Sequence, residues 1–261
     1  AKDVKVVLSG EGADELFGGY NIYRDPFTAR WYDRLPPWLR AGLGAAAALL
    51  PPARGVNFLV RRGMSLEERY FGPTALFNER EKRRLLADYA GDGDPMFLTE
   101  AIWDATEGLD PVTRMQQVDL NLWLAGDILL KADKMSMAHS LELRVPYLDR
   151  EVLREAQTYP DSYKLRGDTK AVLRTAANKT LPDAWANRTK KGFPVPIAKW
   201  LEDPAFSAKV RKSFMSDVAA EYFDQDKLVA MLADPKHERR KIWTAYTFLT
   251  WHEQFFEKFD A

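Results

Sequence analysis

The sequence predicts a mostly α-helical chain joined to the end of an α/β sheet, and three observations carry that expectation. Val4, Val6, Val7 and Leu8 form one short, β-branched apolar run, which predicts a buried strand. No other stretch predicts a strand with the same clarity, whereas helical patterns recur from Asn21 to Phe259. A lone strand leaves its backbone donors and acceptors without neighbours. Its partners are therefore expected upstream of Ala1, which makes the chain a C-terminal piece cut from a longer protein.

Composition narrows the class. The 261 residues are enough for a sizeable core, and 46% hydrophobic with 12% aromatic residues describe a globular chain. Thirty-eight basic residues balance 38 acidic ones, so the charge gives no sign of nucleic-acid or membrane-surface binding. There is no cysteine, which excludes disulfides, thiolate metal sites and a cysteine nucleophile within these residues. His139, His237 and His252 lack metal-ligand spacing. The longest apolar block, Ala41 to Pro52, is too short to span a bilayer, and no signal-peptide pattern opens the chain. A soluble, reducing compartment, the cytoplasm, is the default expectation.

The helices are read from their punctuation. Asn21 to Trp38 is expected to be helical up to Pro36-Pro37, and Leu39 to Leu50 up to Pro51-Pro52. Arg54 to Gly63 reads as a solvated basic loop. Ser65 with Glu68 three residues on is a capping box, and Asn78 to Tyr89 is a charged helix. Gly91 to Pro95 reads as a turn without the length of a calcium loop. Pro111 to Ser140 is the longest helical stretch, expected as two helices meeting near Gly126 around a buried, leucine-rich centre. Asp127, Lys131 and Lys134 share one face there, as a structural pair or as a polar strip lining a site. Leu141 to Asp149 reads as an extended segment leading into a helix capped by Asp149. Lys170 to Thr180 is a helix, Arg188 to Pro196 a basic loop fixed by glycine and prolines, and Glu238 to Phe259 an aromatic-rich core helix.

Ser9 to Tyr20 concentrates the chemistry. A strand turning through Ser9, Gly10 and Gly12 into a helix at Ala13 places backbone N–H groups at a positive helix terminus, a geometry that suits phosphate. The same turn carries Glu11, Asp14 and Glu15, which repel phosphate. A phosphate here needs a cation between, and Mg²⁺ held by one or two carboxylates plus phosphate oxygens is the usual solution. The alternative is plain macrodipole capping by Asp14 and Glu15. Glu11 precedes the helix, where nothing structural asks for a carboxylate. Both readings stay open on these residues alone.

Three ordered segments resemble one family. Leu8-Ser9-Gly10-Glu11-Gly12-Ala13-Asp14-Glu15-Leu16-Phe17-Gly18-Gly19-Tyr20 is similar to the LSGEGxDExFGGY segment of glutamine-dependent asparagine synthetases. Leu130 to Ala138 with Leu141 to Asp149 resembles a second signature. Lys170, Leu173-Arg174, Leu181-Pro182 and Arg188 to Phe193 resemble a third. The likeness runs from Val4 to about Trp200 and is looser beyond.

The resemblance implies the mostly α-helical C-terminal part of an α/β ATP-pyrophosphatase (adenine nucleotide α-hydrolase-like) domain, with residues 1–261 as a portion of one synthetase domain. It implies that ATP adenylates the side-chain carboxylate of aspartate, that pyrophosphate leaves, and that ammonia displaces AMP. Ammonia would come from glutamine in a separate N-terminal glutaminase domain of the parent chain. Ser9 and Gly10 would contact ATP, Asp14 would hold Mg²⁺, and Glu11 would serve formation and use of the acyl-adenylate. Lys190 would stabilise charge on the α-phosphate and departing pyrophosphate, with Lys131 lining the same cleft. Glutamate at position 11, where related β-lactam-forming synthetases carry tyrosine, favours amide formation with ammonia. No nucleic-acid or membrane partner is implied; a homodimer is allowed.

The departures are equally informative. The family's SGGxDS pyrophosphate loop, its N-terminal cysteine and any glutaminase-like segment are absent from these residues, so the piece alone is expected to be inactive. Two other readings remain: an amidotransferase acting on a different carboxylate, for example in polysaccharide synthesis, and a non-catalytic helical domain used for interaction.

Overall fold

Val6–Leu8 does form a strand, β1, and it has a neighbour within the chain. Glu142–Arg144, β2, runs parallel to it, with Val6 opposite Glu142 and Leu8 opposite Arg144. In the computed structural model, which describes residues 1–51, 53–72, 76–89, 95–189 and 195–257, these are the only paired strands among the described residues. The expectation of a buried strand is corrected: Leu8 is 73% exposed and Val6 is also exposed. Nearly everything else is helical, as the punctuation predicted. The chain divides into two units, residues 1–74 with 95–189, and residues 75–94 with 190–261.

In the first unit, β1 leads through Ser9–Gly12 into the short helix α1, Ala13–Phe17. Pro37 starts the next helix rather than ending the previous one, since proline at the first helical position costs no hydrogen bond. Pro37–Ala48 (α2) packs on Val56–Gly63 (α3), where a Cβ on Gly44 would lie 3.0 Å from the Gly63 Cα. Arg54–Gly63 is therefore mostly helix, not a basic loop. Arg62 is buried there, donating to the Asp33 carboxylate at 3.1 Å, the Thr28 hydroxyl at 2.6 Å and the Asp25 carbonyl at 2.5 Å. The Ser65–Glu68 capping box forms as read.

The long helical run is continuous through Gly126. Pro111–Val118 (α4) passes into a wider π-type stretch, Asp119–Leu129, and then Leu130–Met137 (α5). Its centre is not a buried leucine helix: only Asp119 and Leu124 are buried between 119 and 129. Asp127, Lys131 and Lys134 are exposed, and no Asp127–Lys131 ion pair forms among the described residues. The Asp161 carboxylate caps α4 from outside, accepting from the Val112 N–H at 2.9 Å and the Thr113 hydroxyl. Asp149 caps Arg150–Thr158 (α6) as predicted, and Asp161–Lys164 (α7) and Ala171–Ala177 (α8) follow. Tyr23, Met115, Val112 and Val118 are fully buried in one core cluster; Leu16, Phe17, Ala156 and Val172 form another under α1.

The second unit packs Glu79–Leu85, Pro204–Phe214, Gln225–Met231 and Pro235–His252 around Phe214, Leu228 and Ile242. Asn78 and Glu81 complete a second capping box, and Lys241 pairs with Glu81 at 2.6 Å. The C-terminal helix starts at Pro235, and its aromatic stripe is only partly core: Tyr246 is buried, whereas Trp251, Phe255 and Phe256 are exposed. The turn read at 91–94 lies outside the described residues.

Candidate active site

The acidic turn sits where β1 meets α1, held from three sides. The Ser9 N–H donates to the Arg144 carbonyl at 2.8 Å, extending the sheet by one bond. Gly12 takes φ +87°, a left-handed conformation, and lies so close to Leu148 that a Cβ would come 2.8 Å from the Leu148 Cγ. Behind the turn, the Gln116 amide donates to the Glu15 carbonyl at 2.5 Å and accepts from the Lys164 ammonium at 3.0 Å.

That anchoring sorts the three carboxylates. Glu15 is 2% exposed and accepts from the Tyr20 phenol at 2.7 Å, so it serves the interior. Burial, reinforced by Glu15, raises the Tyr20 phenol well above its ordinary pKa. Glu11 is half-buried and accepts from the Ser9 hydroxyl. Asp14 folds back on the Gly18-Gly19 turn; a Cβ on Gly19 would overlap its carboxylate. Its Oδ1 lies 3.2 Å from the Lys170 Nζ, with both side chains 24% exposed. Gly12, the residue before α1, makes no side-chain cap, and Asp14 is spent on Lys170 rather than on capping.

Lys170 is among the residues that carry the resemblance, which implies no role for it. It stands before α8 at φ +57°, ψ +40°, a conformation that costs a non-glycine residue about 1 kcal/mol and recurs where function over-determines the backbone. The Arg174 guanidinium fixes it, donating to the Thr169 carbonyl at 2.8 Å and to the Ala186 and Arg188 carbonyls at 3.2 and 3.1 Å. The same guanidinium thereby ties the start of the basic segment to α8. Lys190 itself lies outside the described residues, and Lys131 is exposed on α5 without a bond to the turn. The sequence signals for Lys170 are its place in the third segment of the resemblance and the turn-forming Gly167-Asp168 before it.

The turn leaves backbone donors open to an anion. The N–H groups of Ser9 and Ala13 are used internally, by Arg144 and Gly10, while those of Gly10, Glu11 and Gly12 have no acceptor among the described residues. No group of three metal-ligating side chains exists among the described residues, so a caged metal does not fit. A magnesium ion that arrives with phosphate oxygens and takes one carboxylate does fit Asp14, whose side chain still reaches solvent. No described helix is long and apolar enough to cross a membrane.

The asparagine synthase family model matches residues 1–253. An asparagine synthetase [glutamine-hydrolyzing] 1 of Bacillus subtilis is 42% identical over 98% of this chain and 42% of its own length. An asparagine synthetase [glutamine-hydrolyzing] 3 from the same organism is 31% identical over 74% of this chain and 27% of its own length. The chain thus spans less than half of the curated relatives it matches. No solved structure matches it.

Proposed function

The chain belongs to the asparagine synthase family, and we propose that it forms the C-terminal part of an ATP-dependent, amide-forming ligase domain of the ATP-pyrophosphatase type. The substrate is the side-chain carboxylate of aspartate, and the nitrogen donor is ammonia released from glutamine by an N-terminal glutaminase domain. The observation that carries this reading is the pairing of Lys170 with Asp14 beside a turn whose three amides are unused.

The aspartate carboxylate attacks the α-phosphorus of ATP, and the bond to the β-phosphate breaks to release pyrophosphate. Ammonia then attacks the acyl carbon, AMP leaves, and one proton must be removed from nitrogen. Ser9 and the Gly10–Gly12 amides orient the phosphates. Asp14 would hold Mg²⁺, which would supply positive charge beside the phosphates. Glu11 takes the proton from the attacking nitrogen, a task that needs a carboxylate rather than a phenol. Lys170 is the fixed cation that faces charge growing on the α-phosphate, with Lys190 as a second cation from the basic segment. Residues 1–261 act only with the remainder of the parent, because no SGGxDS loop is present in them.

The test is a substrate panel on the full-length parent. Pyrophosphate release with ATP and Mg²⁺ should depend on aspartate and not on glutamate, succinate or N-acetylaspartate-blocked peptides, and asparagine should form when ammonia is supplied. Release driven by another carboxylate, with aspartate inert, overturns the substrate assignment.

A further inference from the structure

Behind α1, on the side of Glu15, lies a cavity of about 240 Å³ lined by Lys164, Glu15, Gln116, Gln157, Leu120 and Leu153 among others. Lys164 is 3% exposed, and burial lowers its ammonium pKa while Asp161 and Asp110 oppose the shift from a distance. An ammonium has three donors. Lys164 spends one on Gln116 and has no carboxylate within 4.0 Å among the described residues. A buried cation with one neutral acceptor is costly unless an anion joins it. The reaction proposed above gives Lys164 no role, and its bond to Gln116 leaves the remaining donors unexplained.

The rest of the lining says what kind of anion. Leu120 and Leu153 offer an apolar wall, and the Gln157 amide adds a polar group. Leu120, Leu153, Gln117 and Gln157 continue into a second cavity of about 290 Å³ that ends at Leu148, the residue packed against Gly12. Inorganic phosphate would meet leucines on most sides. A short aliphatic chain ending in a carboxylate matches both ends.

We propose that this cavity is a binding site for a small aliphatic carboxylate, with Lys164 as its charge anchor and the leucine wall receiving its chain. The site shares Glu15 with the acidic turn, where the Tyr20 phenol donates to the Glu15 carboxylate, and its occupancy bears on that turn through Gln116 on one side and Leu148 on the other.

The test uses the full-length parent without ATP or aspartate, so its outcome is independent of the reaction assigned above. Butyrate and hexanoate, titrated calorimetrically, should bind at one site per chain, and butyramide should bind at least about tenfold more weakly, the worth of one charge-assisted hydrogen bond. Lys164→Met should lose the same factor for butyrate. Leu153→Trp fills the cavity while sparing the Lys164–Gln116 bond, and it should abolish binding with an unchanged circular dichroism spectrum. Should Lys164→Met not fold, the carboxylate–amide comparison on the unaltered protein decides. Equal affinity for butyrate and butyramide, undiminished binding in either variant, or no heat from either carboxylate overturns the proposal.

Discussion

The Lys170 ammonium lies 3.2 Å from the Asp14 carboxylate, although Lys170 occupies a left-handed backbone conformation that its side chain does not favour. An ion pair whose partners are each 24% exposed contributes about 0–1 kcal/mol to stability. Stability therefore gives little reason to hold Lys170 there, whereas the phosphate-binding role proposed for the turn gives a large one. Lys170→Ala should leave the unfolding midpoint of the parent nearly unchanged while lowering kcat roughly 100-fold or more, the usual cost of removing one charge-stabilising group. Thermal unfolding and steady-state rates on the same preparation check both halves.

Gln116 joins the Glu15 carbonyl to the Lys164 ammonium, and so fixes α1 from behind. Gln116→Leu keeps the volume but strands a buried acceptor and a buried cation. It should cost about 3 kcal/mol in urea unfolding, since each unsatisfied buried group costs about 1–3 kcal/mol. The displaced α1 should also raise KM for ATP, which a purely global loss of stability does not do to the folded fraction.

Asp119 is the opposite case, a buried carboxylate whose burial pushes its pKa from an ordinary 3.8 up to about 6, against the pull of the Tyr23 and Tyr70 phenols that donate to it. A folded-state pKa above the unfolded one means that the native chain holds the proton more tightly. Stability therefore falls as pH rises from about 4 to about 6, by about 3 kcal/mol in total, and stays lower above that window. Asp119→Asn keeps an acceptor for the phenols and should flatten this slope. An unchanged difference between acid and neutral unfolding free energies in the variant contradicts the assignment.

Arg62 is buried against Asp33, Thr28 and the Asp25 carbonyl, a fork that lysine cannot reproduce. Arg62→Lys keeps the charge and should still cost about 2 kcal/mol, because at least one buried acceptor loses its donor. Equal stability by urea unfolding contradicts that reading.

These cases show what was legible in the sequence. The Ser65–Glu68 box and the Asp149 cap were readable because each is closed within a few residues; the Asn78–Glu81 box, just as local, was read only as a charged helix. The family was legible in the three ordered segments, and the match over residues 1–253 bears it out. What failed was everything decided at long range. Arg62 looked like a solvated charge because its acidic partners lie far back in the chain. The leucines around Leu124 looked central because apolarity does not say which face finds a neighbour. The residues alone set Glu11 apart but did not separate Asp14 from Glu15; the structure does, with Tyr20 donating to Glu15 and Lys170 paired with Asp14.

The most direct test of the account is pyrophosphate release from ATP by the full-length parent bearing Glu11→Gln, Asp14→Asn or Lys170→Ala, each with saturating aspartate and Mg²⁺. The account predicts that every variant folds and that Asp14→Asn and Lys170→Ala lose release roughly 100-fold or more. Glu11→Gln should lose asparagine formation at least as severely as release. Release at the unaltered rate in both Asp14→Asn and Lys170→Ala would contradict the assignment of this turn as the nucleotide site.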